Sequence, residues 1–231
     1  MRSSTASALI YALIFAATGV SLPYAGLWFE GQGLSGSEIS VILAAPMLAR
    51  AFTGPLVAVW ADSFQLRRTA ISWLALIAAV AYGACALVDG FALWLVLWFV
   101  AATAAASLIP LSDALTLKLA RRDGFVFSIP RGVGSVAFIV ANVAMGVLLR
   151  SGDVDRIVLW VVLASVLLAA AALLAPAEPV QENDAVEAGP RLAGLGYLVS
   201  DRRFMTVVVA ISLIQASHAF YYGFSSIIWR A

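Results

Sequence analysis

The chain has 231 residues, of which 63% are hydrophobic and only 12% charged, and its formal net charge is +1. Soluble globular chains carry about 25% charged residues, so most of this surface is expected to be solvated by lipid. The near-neutral balance gives no electrostatic footprint for nucleic acid, and the single cysteine, Cys85, cannot close an internal disulfide and reads as a packing residue.

Seven apolar segments follow in order, approximately Ala6–Phe29, Glu38–Trp60, Thr69–Val88, Phe91–Leu117, Phe127–Leu149, Ile157–Ala175 and Phe204–Trp229. Each is near the roughly 20 residues a helix needs to cross a bilayer, and too long for the roughly 9–11-residue strands of a membrane barrel. Backbone groups in lipid must be satisfied within their own segment, so the expected fold class is all-α integral membrane. The first segment follows Met1 and Arg2 but continues through Phe29. That exceeds the roughly 7–15 residues of a signal-peptide core, so a retained helix is expected.

Orientation follows from lysine and arginine. With the N-terminus cytoplasmic, the inner segments carry Arg2, Arg67, Arg68, Lys118, Arg121, Arg122, Arg191, Arg202 and Arg203. The outer loops between helices carry Arg150 and Arg156, offset by Asp153 and Asp155. Trp28, Trp60, Trp73, Trp94, Trp98, Trp160 and Trp229 all fall near expected helix ends, consistent with an interfacial belt. Short turns join the first six segments, so sequential neighbours are expected to pack together. Between the sixth and seventh, the stretch from Ala175 to Arg203 is polar, acidic and proline-flanked, and reads as a cytoplasmic linker.

Charges inside apolar runs are the candidate site. Asp113 and Arg131 flank the charged bend Lys118 to Gly124, each nine residues from Arg122. In antiparallel neighbouring helices this places them at one depth. A charge in hydrocarbon costs on the order of 2.5 kcal/mol or more, so such residues pair, face a cavity and mark a pathway. A purely structural ion pair is the alternative. Arg50 lies mid-segment, facing either a polar cavity or backbone carbonyls freed at a kink near Pro46. His218 lies in the seventh segment, and Gln215 and Tyr222, at i−3 and i+4, share its face. Asn142 reads as helix–helix glue, and Glu30 as a solvated rim residue. The chain contains no HExxH or other metal-spaced cluster, so neither metal nor cofactor is expected.

The turn VWADSFQLRR (Val59 to Arg68) sets an acid at a helix end before paired arginines, a pattern able to bridge helix ends and bias opening. It resembles the loop-two signature of the major facilitator superfamily. Asp62, Arg67 and Arg68 match, while Ala58 and Gln65 or Leu66 stand where that signature has glycines. LPYAGLWFEGQGLSGSEIS (Leu22 to Ser40), ILAAPMLAR (Ile42 to Arg50), PLSDAL (Pro110 to Leu115), RGVGSVAF (Arg131 to Phe138) and QASHAFYYGFSSIIW (Gln215 to Trp229) look like the phenylpropionate-permease branch. That branch is related to the proton-coupled oligosaccharide permeases.

The resemblance implies two six-helix bundles rocking about a midplane site and moving substrate uphill with protons. Residues 1–175 would form the first bundle, 176–203 the linker, and 204–231 the first helix of a truncated C-terminal bundle. The missing half, or a partner chain, is expected to be needed for activity. Asp113 and Arg131 look like counterparts of the helix-four carboxylate and helix-five arginine that bind sugar in the lactose permease. Arg50 would add positive potential for an organic anion, with His218, Gln215 and Tyr222 contributed from the second bundle and Asp62, Arg67 and Arg68 forming a gating loop. The aromatic often found near this arginine in the phenylpropionate branch is absent here, since Gly132 and Val133 follow directly. The implied setting is the inner (plasma) membrane, and the partners are the lipid bilayer, a small organic solute and protons. An aromatic carboxylate is the favoured substrate, with a sugar or nucleoside as alternatives.

Other classes fit less well. A seven-helix receptor needs the opposite orientation, and the seventh segment holds no lysine for a Schiff base. His218 and Ser225 stand about 10 Å apart along a helix, too far for a nucleophile and its base. A drug exporter of the same fold lacks the expected glycine–proline motif, since Gly132, Gly134 and Gly146 have no proline between them.

Overall fold

The computed structural model describes residues 2–178 and 200–214. Six helices among them are long and apolar enough to cross a membrane. They are α1 (Ser3–Gly31), α2 (Gly36–Asp62), α3 (Arg67–Cys85), α4 (Phe91–Asp123), α5 (Ser128–Leu148) and α6 (Asp155–Leu173), with a 3-10 turn at Leu149–Ser151. Met1–Val180 form one compact unit and Gln181–Ala231 a second. In the second, residues 202–214 are helical and expose Val207, Val209, Ile211 and Leu213. The remainder of the expected seventh segment, to Trp229, lies outside the described residues.

The ends of the helices follow local chemistry. α2 starts at a capping box in which Ser35 accepts from the Glu38 amide and Glu38 accepts from the Ser35 amide. α4 does not stop where its apolar run stops. Lys118, Leu119, Ala120, Arg121 and Arg122 are good helix formers, and the helix continues through Asp123 until Gly124 takes a φ of 71°. The Gly124 and Phe125 amides then both donate to the Ala120 carbonyl. The expected bend at Lys118 to Gly124 is therefore mostly helix, and the turn lies at residues 124–127. α3 ends at Cys85, earlier than the expected Val88, and the Trp94 indole donates to the Cys85 carbonyl at 3.0 Å.

Sequential neighbours do not dominate the packing. α1 packs most extensively on α5, then on α6 and α4; α3 packs on α4 and α6, and α2 on α4. Of consecutive pairs only α3 and α4 make a large interface, and α4 and α5 barely touch. A short turn brings two helix ends together without choosing which faces meet. At the α1–α5 seam that choice is made by glycine, which lets helix backbones approach closely in membranes. A Cβ on Gly19 would lie 2.6 Å from the Phe138 carbonyl oxygen, and one on Gly134 would lie 2.7 Å from the Phe15 ring.

The tryptophans also depart from expectation. Trp28, Trp94 and Trp98 are buried inside the bundle. They stack edge-on with Phe29 and Tyr82 at the end of the bundle far from the N-terminus. Trp160 donates to the Ala16 carbonyl in the middle of α1. Buried indoles need an acceptor, which Trp28 finds in Asp155 and Trp94 in the Cys85 carbonyl, whereas Trp60 and Trp73 are exposed as a belt requires. Trp229 lies outside the described residues. Cys85 is buried as expected.

Candidate functional site

The site is built on α1. Tyr11 and Phe15 stand one turn apart on the face that meets α5. Tyr11 is fully buried, and a hydroxyl removed from water needs a partner. It donates to Asp113 Oδ1 of α4 at 2.5 Å. From α5, Arg131 brings its Nε to 3.6 Å from the same carboxylate oxygen. Its guanidinium carbon stands 5.4 Å from the Tyr11 ring centroid and 4.5 Å from that of Phe15. Phe127 meets the Tyr11 ring edge-on at 6.4 Å.

This arrangement confines the charges without sealing them. The side chains of Asp113 and Arg131 remain 33% and 35% exposed. A separation of 3.6 Å is well beyond the roughly 2.7–2.9 Å of a strong charge-assisted bond. The guanidinium makes no hydrogen bond to any described residue. Two buried hydroxyls neighbour the site in sequence, Ser7 one turn before Tyr11 and Ser112 beside Asp113, and neither has a partner among the described residues.

The structure thus joins Asp113 to Arg131, but by a different route from the one the sequence suggested. Asp113 lies ten residues before the end of α4 and Arg131 three after the start of α5, so the symmetry about Arg122 does not hold. The two parent helices scarcely pack, and α1 stands between them. Tyr11 and Phe15 went unnoticed in the sequence because they sit in an apolar run with no charge nearby. The available signal was a pair of aromatics at i and i+4, followed by Gly19 at i+8. The aromatic rings that stand against Arg131 come from α1.

Arg50 is not part of this cluster. It lines a separate cleft between α2 and α4, about 310 Å3 in volume, together with Pro46, Asp62, Arg67, Thr103 and Pro110. The bond to backbone carbonyls near Pro46 is not seen: Arg50 makes no hydrogen bond or ion pair with a described residue. Asp62 and Arg67 approach to 3.9 Å. Arg68 turns to α6 instead and donates to the carbonyls of Leu173 at 3.3 Å and Ala175 at 2.7 Å. At the same end Arg122 bonds Glu178 at 2.8 Å, Ser3 donates to Asp123, and the Arg67 amide donates to the Glu178 carbonyl. Loop two is therefore tied to the ends of α2, α3 and α6.

His218, Gln215 and Tyr222 lie outside the described residues. Glu30 is exposed. Asn142 acts through its backbone carbonyl, which accepts from the Tyr24 hydroxyl at 3.1 Å. A larger cavity of about 400 Å3 lies at the opposite end, beside Asp89 and Asp155. Asp155 Oδ1 already accepts from the Trp28 indole and the Gln32 amide. Among the described residues, no three His, Cys, Asp or Glu side chains gather as a metal ion would need.

Comparison with known proteins places these features in context. A family model described as the MFS_1 like family matches residues 5–229. A probable 3-phenylpropionic acid transporter of Escherichia coli (strain K12) is 29% identical over all of this chain, which spans 60% of that protein. A maltose permease of Geobacillus stearothermophilus is 30% identical over 71% of this chain and 42% of its own length. The crystal structure of the nucleoside transporter NupG (D323A mutant) superposes with a TM-score of 0.80 at 18% identity, over 96% of this chain and 57% of that one. The chain thus spans under two thirds of each of these proteins.

Proposed function

The chain belongs to the MFS_1 like family of transporters, and from that premise we propose that it forms the first half of a secondary transporter for a small organic carboxylate. Residues 1–175 serve as the N-terminal bundle, 176–203 as a cytoplasmic linker and 204–231 as the opening helix of a second bundle. That second bundle, or a partner chain, completes the cavity. The asymmetry of lysine and arginine favours a cytoplasmic N-terminus in the inner (plasma) membrane.

The observation that carries the reading is the partly exposed Arg131 guanidinium lying over the Phe15 ring beside Asp113. Arginine's planar fork suits a carboxylate, and the adjoining half-buried Phe15 ring suits an aromatic body. The similarity to a 3-phenylpropionic acid transporter supports the same substrate class. In this reading transport is coupled to protons, as the resemblance to the oligosaccharide permeases implies, and the proton acceptor is not assigned to a described residue. Substrate and proton then travel together through alternating access, with Asp62, Arg67 and Arg68 biasing opening at the loop-two end.

A sugar is the second reading. The similarity to a maltose permease supports it, and a carboxylate beside a guanidinium also binds vicinal hydroxyls. Uptake of labelled 3-phenylpropionate by cells expressing the full gene product tests the first reading, with Arg131→Ala as the variant. Loss of uptake on substitution supports it; transport equal to the parent removes Arg131 from the site.

A further inference from the structure

The cleft between α2 and α4 gathers polar groups that lack partners. Arg50 sits near the middle of α2, fourteen residues from Gly36 and twelve from Asp62. At about 1.5 Å per residue each end is about 18–21 Å away, beyond the reach of a snorkelling side chain. Its charge is not neutralised by any described residue, although an uncompensated arginine at mid-membrane costs on the order of 2.5 kcal/mol or more. Arg50 itself is exposed, while two other groups lining the same cleft are buried and have no partner among the described residues: Arg67 Nε and Thr103 Oγ1. Native structures rarely leave such groups unpaired unless a ligand, ion or water completes them.

The charge balance defines the missing partner. Two guanidinium groups and one carboxylate, Asp62, line the cleft. Asp62 is half exposed and 3.9 Å from Arg67, so it engages only one arginine, and weakly. Ser107 is already used, donating to the Thr103 carbonyl at 2.9 Å. What remains is a site of net positive charge whose unpaired groups are chiefly donors. Its volume of about 310 Å3 falls among those of small-molecule sites.

We propose that the α2–α4 cleft is a second binding site, distinct from the Asp113–Arg131 cluster, which takes an oxyanion group, a carboxylate or a phosphate, on Arg50 with Thr103 and Arg67 completing it. Because the cleft runs from Arg50 to the Asp62–Arg67 pair, occupancy is felt at loop two. The ligand's oxygens compete with Asp62 for Arg67. The source of the anion is either a soluble organic acid or an anionic lipid headgroup reaching in from the loop-two end.

Cys85, the thiol within these residues, is buried at the other end of α3, and any thiols elsewhere in the full gene product are replaced by serine, so a reporter thiol can be introduced by Thr53→Cys, at another position lining the cleft. The full gene product is reconstituted in phosphatidylcholine nanodiscs, and the rate of maleimide labelling at position 53 is measured. 3-Phenylpropionate at ten times its dissociation constant is expected to slow labelling about tenfold, whereas the uncharged 3-phenylpropanamide leaves the rate unchanged. A second arm replaces part of the lipid with phosphatidylglycerol. Protection by the free acid identifies a soluble carboxylate, and protection by phosphatidylglycerol identifies a headgroup. In either arm Arg50→Gln removes the protection, while Arg50→Lys keeps part of it and Arg131→Gln keeps it whole. Protection in neither arm, protection by the amide, or protection that survives Arg50→Gln and disappears with Arg131→Gln overturns the proposal. Failure of the Arg131 assignment in transport leaves this site standing, since its labelling readout does not depend on transport.

Discussion

Gly134 of α5 lies directly against Phe15 of α1: a Cβ there would stand 2.7 Å from the ring and 3.1 Å from the Tyr11 Cβ. The same ring carries the Arg131 guanidinium at 4.5 Å, three residues earlier on α5. One glycine therefore sets how closely the two helices approach and how the arginine meets its aromatic partner.

Gly134→Ala is expected to lower the thermal unfolding temperature in detergent, because overpacking costs about 1–3 kcal/mol. Gly19→Ala is expected to cost more, since its Cβ would meet the Phe138 carbonyl oxygen at 2.6 Å and a backbone oxygen cannot rotate aside. Gly132→Ala serves as the control: nothing lies within 4 Å of its Cβ, and alanine in a helix interior gains about 0.5–1 kcal/mol over glycine. Melting temperatures of the three variants test this order, and a Gly132→Ala loss equal to the other two would discount the contact argument.

Tyr11→Phe keeps the ring and deletes the hydroxyl that holds Asp113. A hydrogen bond to a charged group is worth about 1.5–3 kcal/mol, so uptake is expected to fall about 10- to 100-fold with the fold intact. Uptake rates paired with melting curves separate this outcome from simple destabilisation. Unchanged uptake assigns the hydroxyl a packing role only.

The two arginines of loop two are expected to behave differently. Arg68→Ala uncovers the carbonyls at the end of α6 and is expected to cost about 1 kcal/mol or more, because helix-terminal carbonyls lose both a donor and a favourable charge. Asp62→Ala removes only a 3.9 Å pair with a half-exposed carboxylate, worth under about 1 kcal/mol. Melting temperatures of the two variants check the ranking; equal losses count against the cap.

Brominated lipids distinguish a tryptophan belt from a tryptophan core. In a Trp60→Phe, Trp73→Phe, Trp160→Phe, Trp229→Phe background, emission from buried Trp28, Trp94 and Trp98 is expected to dominate and to resist quenching, whereas restoring Trp73 is expected to restore a quenched fraction. Strong quenching of the background protein contradicts the packing of these indoles inside the bundle.

Much of the fold was legible because membrane helices announce themselves by length. The apolar runs around Ala6, Glu38 and Phe91 each became a helix, with ends displaced where capping chemistry outweighed hydropathy, as at Ser35 and Gly124. The pair Asp113 and Arg131 was legible because a charge in an apolar run has few bland explanations. Tyr11 and Phe15 were not, since an aromatic in such a run is ordinary until a neighbouring helix gives it a partner. Arg50 was legible as a charge but not in its place, because nothing in its own segment says which helix it faces.

The sequence by itself determined that this chain crosses a membrane, where its six described spans lie, and which charges those spans carry. Hydropathy measures each segment against the bilayer and needs no knowledge of its neighbours. Only the tertiary structure decided that α1 stands between α4 and α5, that Asp113 reaches Arg131 beside Tyr11, and that Arg50 opens into a different cleft. In lipid, apolar faces gain little from meeting one another. Partner choice therefore falls to a few close contacts, such as those at Gly19 and Gly134, which exist only once two helices are set side by side.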